Sequence, residues 1–195
     1  MWRCERLIVA SIAALLAAGC ATPVPPPEGG PPVSRWSGRF AATWVVPADP
    51  PHEERASGRF SLLEAGATTE LDVFSPFGQT IVHAVASPAG AMLETADGVR
   101  HEADSPDALT EKVLGWRIPV GRLPDWLRLA GRAKHTVAPF VDSGWSISAD
   151  AAGDGEGPQR LTLRWPVDGL AAGLRSVTIR LVVDGGQPPA PDNPQ

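Results

Sequence analysis

The stretch TIVHAVASPAGAMLETADGVRHEA, residues 80–103, decides the fold. Three short apolar-rich runs, 80–87, 91–95 and 99–103, are parted by Pro88-Ala89-Gly90 and by Asp97-Gly98. Asp-Gly between two such runs is a strong hairpin signal, because the tightest hairpin turns need positive φ at both central residues. Runs this short, with turns this close, predict an antiparallel meander. In 80–87, Ile81, His83 and Val85 share one face, as strand alternation requires.

Upstream the β pattern continues. Residues 36–46 are rich in aromatic and β-branched side chains, and 56–64 reads as a second strand. A loop over 47–55 holds Pro47, Pro50 and Pro51, and Gly66 ends the second strand. In 68–74, Leu71 and Val73 point one way, Asp72 and Phe74 the other. Downstream the period changes. Ser105-Pro106-Asp107 opens a helix, with Ser105 as N-cap and Pro106 at the first helical position. Ala108, Leu109, Val113 and Leu114 form its apolar stripe up to Gly115, and Ile118-Pro119-Val120 breaks it. A second helix over 123–130 places Leu123, Trp126, Leu127 and Ala130 at helical spacing, with Gly131 as its stop. Strands are then expected at 135–141, 144–149, 159–165 and 174–183, with a glycine-rich loop at 153–158. The sum is a mainly β fold of roughly nine or ten antiparallel strands, with a helical pair between two strand sets. No repeat of 20–50 residues is visible.

The N-terminus carries a different signal. Arg3 and Arg6 precede an apolar run over 7–18, shorter than the roughly 20 residues a spanning helix needs. Ala17, Ala18 and Gly19 then lead into Cys20, the pattern of a bacterial lipoprotein signal, although such signals more often carry Leu where Ala17 stands. Residues 1–19 are expected to be removed and Cys20 to carry lipid; the plainer alternative is an ordinary secretory signal with an incidental cysteine. Ala21 follows the cysteine, where an aspartate would resemble an inner-membrane retention signal, so the outer membrane is the expected address. Residues 20–34, with six prolines after Cys20, read as a tether able to span about 40 Å as polyproline II. The folded domain is expected over 35–184, about 150 residues and large enough for one core, with a disordered tail over 185–195. Cys4 lies in the removed segment, so no disulfide is expected in the domain.

Charge bounds the partners. The chain carries a net −5; residues 1–19, with Arg3, Glu5 and Arg6, carry +1 of it, which leaves −6 for the rest. With no basic cluster in the sequence, nucleic acid is not an expected partner, and net charge does not draw the chain to anionic headgroups. Attachment to a membrane is expected to come from apolar groups.

Catalytic and metal motifs are missing. There is no G-x-S-x-G elbow, no P-loop and no G-x-G-x-x-G, and His52, His83, His101 and His135 lack ligand spacing. His101, Glu102 and Asp104 sit close in sequence, but neighbouring strand residues point to opposite faces. No convergent carboxylate pair stands out. No enzyme activity, metal or cofactor is expected. Tryptophan remains: Trp36, Trp44, Trp116, Trp126, Trp145 and Trp165 are spread over strands and helices, as either a filled core or the wall of a cavity. Phe77, between Pro76 and Gly78 in a strand-joining turn, is either a ring folded back on the domain or an apolar tip that enters a membrane.

The chain resembles the LolB family of outer-membrane lipoprotein receptors. The resemblance rests on the lipoprotein signal, Gly38-Arg39-Phe40, Gly58-Arg59-Phe60, Ser75-Pro76-Phe77-Gly78, the helix ending at Gly115, Ile118-Pro119-Val120, Leu123 with Trp126, and Gly144-Trp145. It covers about residues 36–183. The family's tryptophan after the second G-R-F is replaced by Ser61-Leu62-Leu63, and its closing tryptophan by Asp184-Gly185-Gly186. The resemblance implies an unclosed β-barrel with a helical lid over an apolar cavity. It implies a protein that accepts lipoproteins from the periplasmic carrier LolA by their acyl chains and inserts them into the outer membrane, acting as a lipid-anchored monomer on its periplasmic face. On that reading Phe40, Phe60, Leu71 and Val73 are sheet-side candidates for the cavity. Val113, Leu114, Trp116, Leu123, Trp126 and Leu127 are lid candidates, and Phe77 matches the protruding turn residue. The alternatives are an envelope scaffold without acyl-chain transfer and, less supported by motifs, an envelope hydrolase.

Overall fold

A computed structural model describes residues 33–46, 48–132, 135–150, 159–166 and 176–187, all within one compact unit, Pro31–Gln195. The expected signal peptide, residues 20–32 of the tether, the loop over 153–158 and the tail beyond 187 lie outside the described residues; Val33 and Ser34, expected in the tether, and residues 185–187, expected in the tail, are strand because they pair with residues 64–65 and 35–37. Among the described residues ten strands form a single antiparallel sheet: β1 (Val33–Val46), β2 (His52–Ala65), β3 (Thr68–Phe74), β4 (Thr80–Ser87), β5 (Gly90–Thr95), β6 (Arg100–Ala103), β7 (Val137–Asp142), β8 (Trp145–Asp150), β9 (Gln159–Trp165) and β10 (Val177–Gln187). Their order is β6-β5-β4-β3-β2-β1-β10-β9-β8-β7. Each strand lies beside its sequence neighbour except at two places. β1 pairs with β10, which joins the ends of the chain, and β6 and β7 are the free edges. The sheet is not closed, and its seam falls where the chain leaves the β pattern for helices α1 (Pro106–Leu114) and α2 (Leu123–Arg132), with a 3₁₀ turn at Val120–Arg122.

The expected meander is present, but of the Asp97-Gly98 pair only Gly98 takes positive φ, 80°; Gly98 N–H donates to Thr95 O at 2.8 Å and Thr95 N–H to Val99 O at 3.0 Å, so the β5–β6 turn is wider than a two-residue hairpin. The N-cap is present too: Ala108 N–H donates to Ser105 Oγ at 3.2 Å, and Gly115 ends α1 at φ 83°. Boundaries differ where pairing overrides composition. The loop expected over 47–55 is shorter, because His52 to Arg55 pair with Val46 to Thr43 and extend β2 despite their charge. Gly131 does not stop α2, which runs to Arg132. The last strand begins later and runs past Val183 to Gln187, since Gly185 and Gly186 pair with Ser37 and Trp36. A side chain on Gly186 would stand 3.0 Å from the Trp36 ring.

Both helices cover the concave side. α1 presses Leu109 and Val113 onto Ala91, Leu93, Val82 and Ala84 of β4 and β5. α2 buries Leu123, Trp126, Leu127 and Ala130 against Trp145, Ile147, Leu161 and Leu163 of β8 and β9. Each helix therefore rides on one side of the seam. Their connector is held down by Ile118 N–H on Thr110 Oγ1 at 2.8 Å and by Trp145 Nε1–H on Arg117 O at 2.9 Å.

The convex side corrects the expectation of no basic cluster. Strand pairing sets Arg39 opposite Arg59, and Arg180 diagonal to both Arg160 and Arg164. Arginines scattered from 35 to 180 in sequence thus share one face.

Candidate functional site

Alternation in β1, β2, β3, β9 and β10 turns one apolar set inward. Between that set and the helices lies a cavity of about 720 Å³. Its floor is Phe40, Ala42 and Trp44 of β1, Ala56, Phe60 and Leu62 of β2, Leu71 and Val73 of β3, Leu163 of β9, and Val177, Ile179 and Leu181 of β10. Its roof is Val113, Leu114 and Gly115 at the end of α1, Trp116 and Ile118 of the connector, and Leu123 and Leu127 of α2. A smaller apolar space of about 230 Å³ under α1 shares Leu71, Val73, Val113, Leu114 and Ile118 with it. Among the described residues no charged side chain lines either space.

The two G-R-F motifs shape the floor. Gly38 stands opposite Phe60 and Phe40 opposite Gly58, so each ring lies over the other motif's glycine. A Cβ on Gly38 would stand 2.1 Å from Val182 O, and one on Gly58 2.0 Å from Phe74 O. Glycine is required at both places by close approach rather than by φ.

The cavity reaches one edge of the sheet through Val45, Val46 and Ala56. Antiparallel connectivity places the β1–β2, β3–β4 and β5–β6 turns at that same edge. Leu114 is 41% exposed at the roof, and Phe77, in the β3–β4 turn, is 93% exposed. Of the two readings of Phe77, the folded-back ring is therefore wrong.

Nine of the ten expected cavity and lid residues line the space. Trp126 does not. It is buried in the core, and its indole N–H donates to Asp142 Oδ2 at 2.8 Å, which turns it toward the β7–β8 turn. Trp44 takes the cavity-wall alternative of the tryptophans, and Ile118, Leu163, Val177, Ile179 and Leu181, not expected there, line the space as well. The period-two run Val177, Ile179, Leu181 was the signal that could have found three of them. Cys20 lies outside the described residues.

Polar groups frame the roof without entering the cavity. Asp142 Oδ2 also accepts from Arg122 Nε at 3.1 Å and Nη2 at 2.9 Å. The Trp126 bond first, then Arg122 and Ser143, hold the Asp142 carboxyl below the usual carboxylate range, and Asp142 raises the Arg122 guanidinium in turn. Arg122 continues to Asp125 at 2.8 Å, Asp125 to Arg128 at 2.9 Å, and Arg128 to Glu64 of β2, with the Arg128 guanidinium 5.5 Å from the Trp36 ring centroid. This chain of charges ties α2 to β2 and to the β7–β8 turn. α1 has no comparable set among the described residues; its Glu111 pairs with Arg117 of the connector. Among the described residues one buried side-chain polar atom is unsatisfied: Trp116 Nε1, whose ring stands 6.2 Å from that of Trp44 at 46°. His83 pairs with Asp72, both half-buried, and His52 with Glu54, both exposed. Among the described residues no three His, Cys, Asp or Glu side chains converge to hold a metal ion.

The family model described as "Outer membrane lipoprotein LolB" matches residues 35–185. The chain belongs to the LolB family. Relatives named outer-membrane lipoprotein LolB include that of Bordetella petrii, 33% identical over 195 aligned residues covering 93% of each chain. That of Bordetella pertussis is 34% identical, covering 85% of each, and that of Cupriavidus necator is 30% identical, covering 79% of this chain and 80% of its own. The matched span begins two residues into β1 and ends two before the end of β10, so it coincides with the sheet and the helices over it.

Proposed function

We propose that this protein is an outer-membrane lipoprotein that takes the acyl chains of incoming lipoproteins from the periplasmic carrier LolA into its cavity and inserts them into the outer membrane. The observation that carries the reading is the cavity of about 720 Å³, walled by Phe40, Phe60, Ile179 and Leu127, opening at the edge that bears Phe77. Its volume lies within the roughly 300–1,000 Å³ usual for small-ligand sites. Its wall is apolar enough for hydrocarbon.

Burying acyl chain is worth about 0.8 kcal/mol per CH₂, so a chain of about 15 methylenes is costly to expose by roughly 12 kcal/mol. Passage from one apolar cavity to another, and then to a bilayer, nearly cancels that cost. Small affinity differences set the direction, and the step needs no bond making, nucleotide or metal. What remains is a barrier of transient exposure to water, which mouth-to-mouth docking with the carrier lowers. Phe77 supplies an apolar first contact with the bilayer beside the mouth. Removal of residues 1–19 and lipidation of Cys20 would hold the domain, residues 35–184, at the periplasmic face of the outer membrane.

The test is transfer. Purified LolA loaded with a labelled lipoprotein is mixed with this protein, and the label is followed to it and then to vesicles. Label passing to the protein and onward supports the reading. Label remaining on the carrier, with a folded acceptor present, overturns it.

A further inference from the structure

The solvent-facing positions of β2, β1, β10 and β9 hold Arg35, Arg39, Arg55, Arg59, Arg160, Arg164 and Arg180, all exposed, against two carboxylates, Glu53 and Asp184. Both carboxylates are taken: Asp184 by Arg39 at 3.0 Å and Glu53 by Arg55. Arg35, Arg59, Arg160, Arg164 and Arg180 have no ion-pair partner among the described residues. The whole chain carries a net −5, so this face runs against the charge of the molecule. It also runs against sheet stability, since like charges directly opposite, as Arg39 and Arg59 are, repel.

We propose that this convex face docks on anionic lipid headgroups and lays the domain on its side against the bilayer. The inference rests on the membrane reading of Cys20 and Phe77 above. Three observations favour a headgroup surface over an acidic protein. The arginines spread over four adjacent strands without a cleft between them, which suits a surface of many phosphates. The face is centred on β1 and β10, and β1 is the strand through which the chain leads back to Cys20; the 13 residues from Cys20 to Val33 reach about 40 Å at the rise of polyproline II, nearly the length of β1 itself. Finally, Arg59 stands directly opposite Phe74, so the face runs on into the β3–β4 turn that presents Phe77. A domain lying on this face has its apolar turn at the headgroup border and its roof helices free for a carrier.

The unit Pro31–Gln195 contains every strand and helix of the described residues, so it serves as the unlipidated protein. Its partitioning is measured by co-sedimentation with phosphatidylcholine vesicles, with and without phosphatidylglycerol. Binding should require phosphatidylglycerol and fall at high salt, as the Debye length shrinks from about 10 Å at 0.1 M to about 3 Å at 1 M. Each basic residue near an anionic surface contributes about fivefold, so R160Q/R164Q/R180Q should lose on the order of a hundredfold while keeping the melting temperature of the parent. R160K/R164K/R180K should bind like the parent. Equal binding to neutral vesicles, or a glutamine variant that binds like the parent, overturns the proposal; if that variant instead loses its complex with LolA, the face belongs to an acidic protein. Displacement of an apolar dye from the cavity by fatty acid is measured alongside. Its absence would sink the acyl-chain reading and leave the vesicle result standing on its own.

Discussion

Phe60 lies directly opposite Gly38 across the β1–β2 ladder, its ring 2.9 Å from where a Cβ on that glycine would stand. The nearer atom is Val182 O, at 2.1 Å. The aromatic ring and the neighbouring strand thus both close on one backbone position, and the cavity floor is set there.

Gly38→Ala should therefore cost about 3 kcal/mol in urea denaturation, at the upper end of overpacking. Adding Phe60→Leu should not rescue it, because the tightest contact is backbone. Recovery by the double variant would place the strain in the ring instead.

Trp126→Phe should leave acyl-chain binding intact, since Trp126 is not on the cavity wall. It removes the hydrogen bond to a charged Asp142 and should cost about 2 kcal/mol of stability. Weakened fatty-acid binding at unchanged stability would contradict that division.

The Asp142 carboxyl has a folded pKa below its ordinary value of 3.8. A depressed carboxylate contributes stability that is fully present above the unfolded value and is lost as pH falls through the folded one. The tie of α2 to the β7–β8 turn should hold from neutral pH down to about that value, then weaken in more acid solution. Asp142→Asn should flatten this part of the stability–pH curve; a curve identical to the parent's would remove Asp142 as its source.

Ala42 lines the floor between Phe40 and Trp44. Ala42→Phe should displace at least two methylenes of a bound chain, worth about 1.6 kcal/mol, and so weaken fatty-acid binding by about tenfold or more. Binding is read by titration with a fluorescent fatty acid, and undiminished affinity would place the chain elsewhere.

Phe77 is almost fully exposed, so Phe77→Glu should change stability by no more than about 0.5 kcal/mol. Acceptance of label from LolA should be normal and its onward passage to vesicles slow. Normal passage would take the membrane role away from the turn.

The architecture was legible because its signals are local. Asp97-Gly98, Ser105-Pro106 and Gly115 each fix a turn or a cap within a few residues, and the structure places all three where composition put them. What was not legible depends on pairing between distant segments. His52 to Arg55 are polar and follow a proline pair, yet they are strand because β1 extends beside them. Trp126 has the spacing of a lid residue, but its direction is set by Asp142, sixteen positions on. The arginine face is the plainest case: Arg39 and Arg160 lie on one row only because β1 and β9 both flank β10. No count of charge along the chain contains that row.

The seam between β6 and β7 has a mechanical consequence. A ring of strands bonded all the way round resists dilation like a hoop, since widening it must break a ladder. This ring is split, and the split is spanned by two helices, one seated on each side, joined by residues 115–122, which include the 3₁₀ turn Val120–Arg122. The enclosed space can widen by parting those helices while all nine ladders of the sheet stay bonded. Girth then becomes a soft coordinate, set by the connector rather than by the strand ladders.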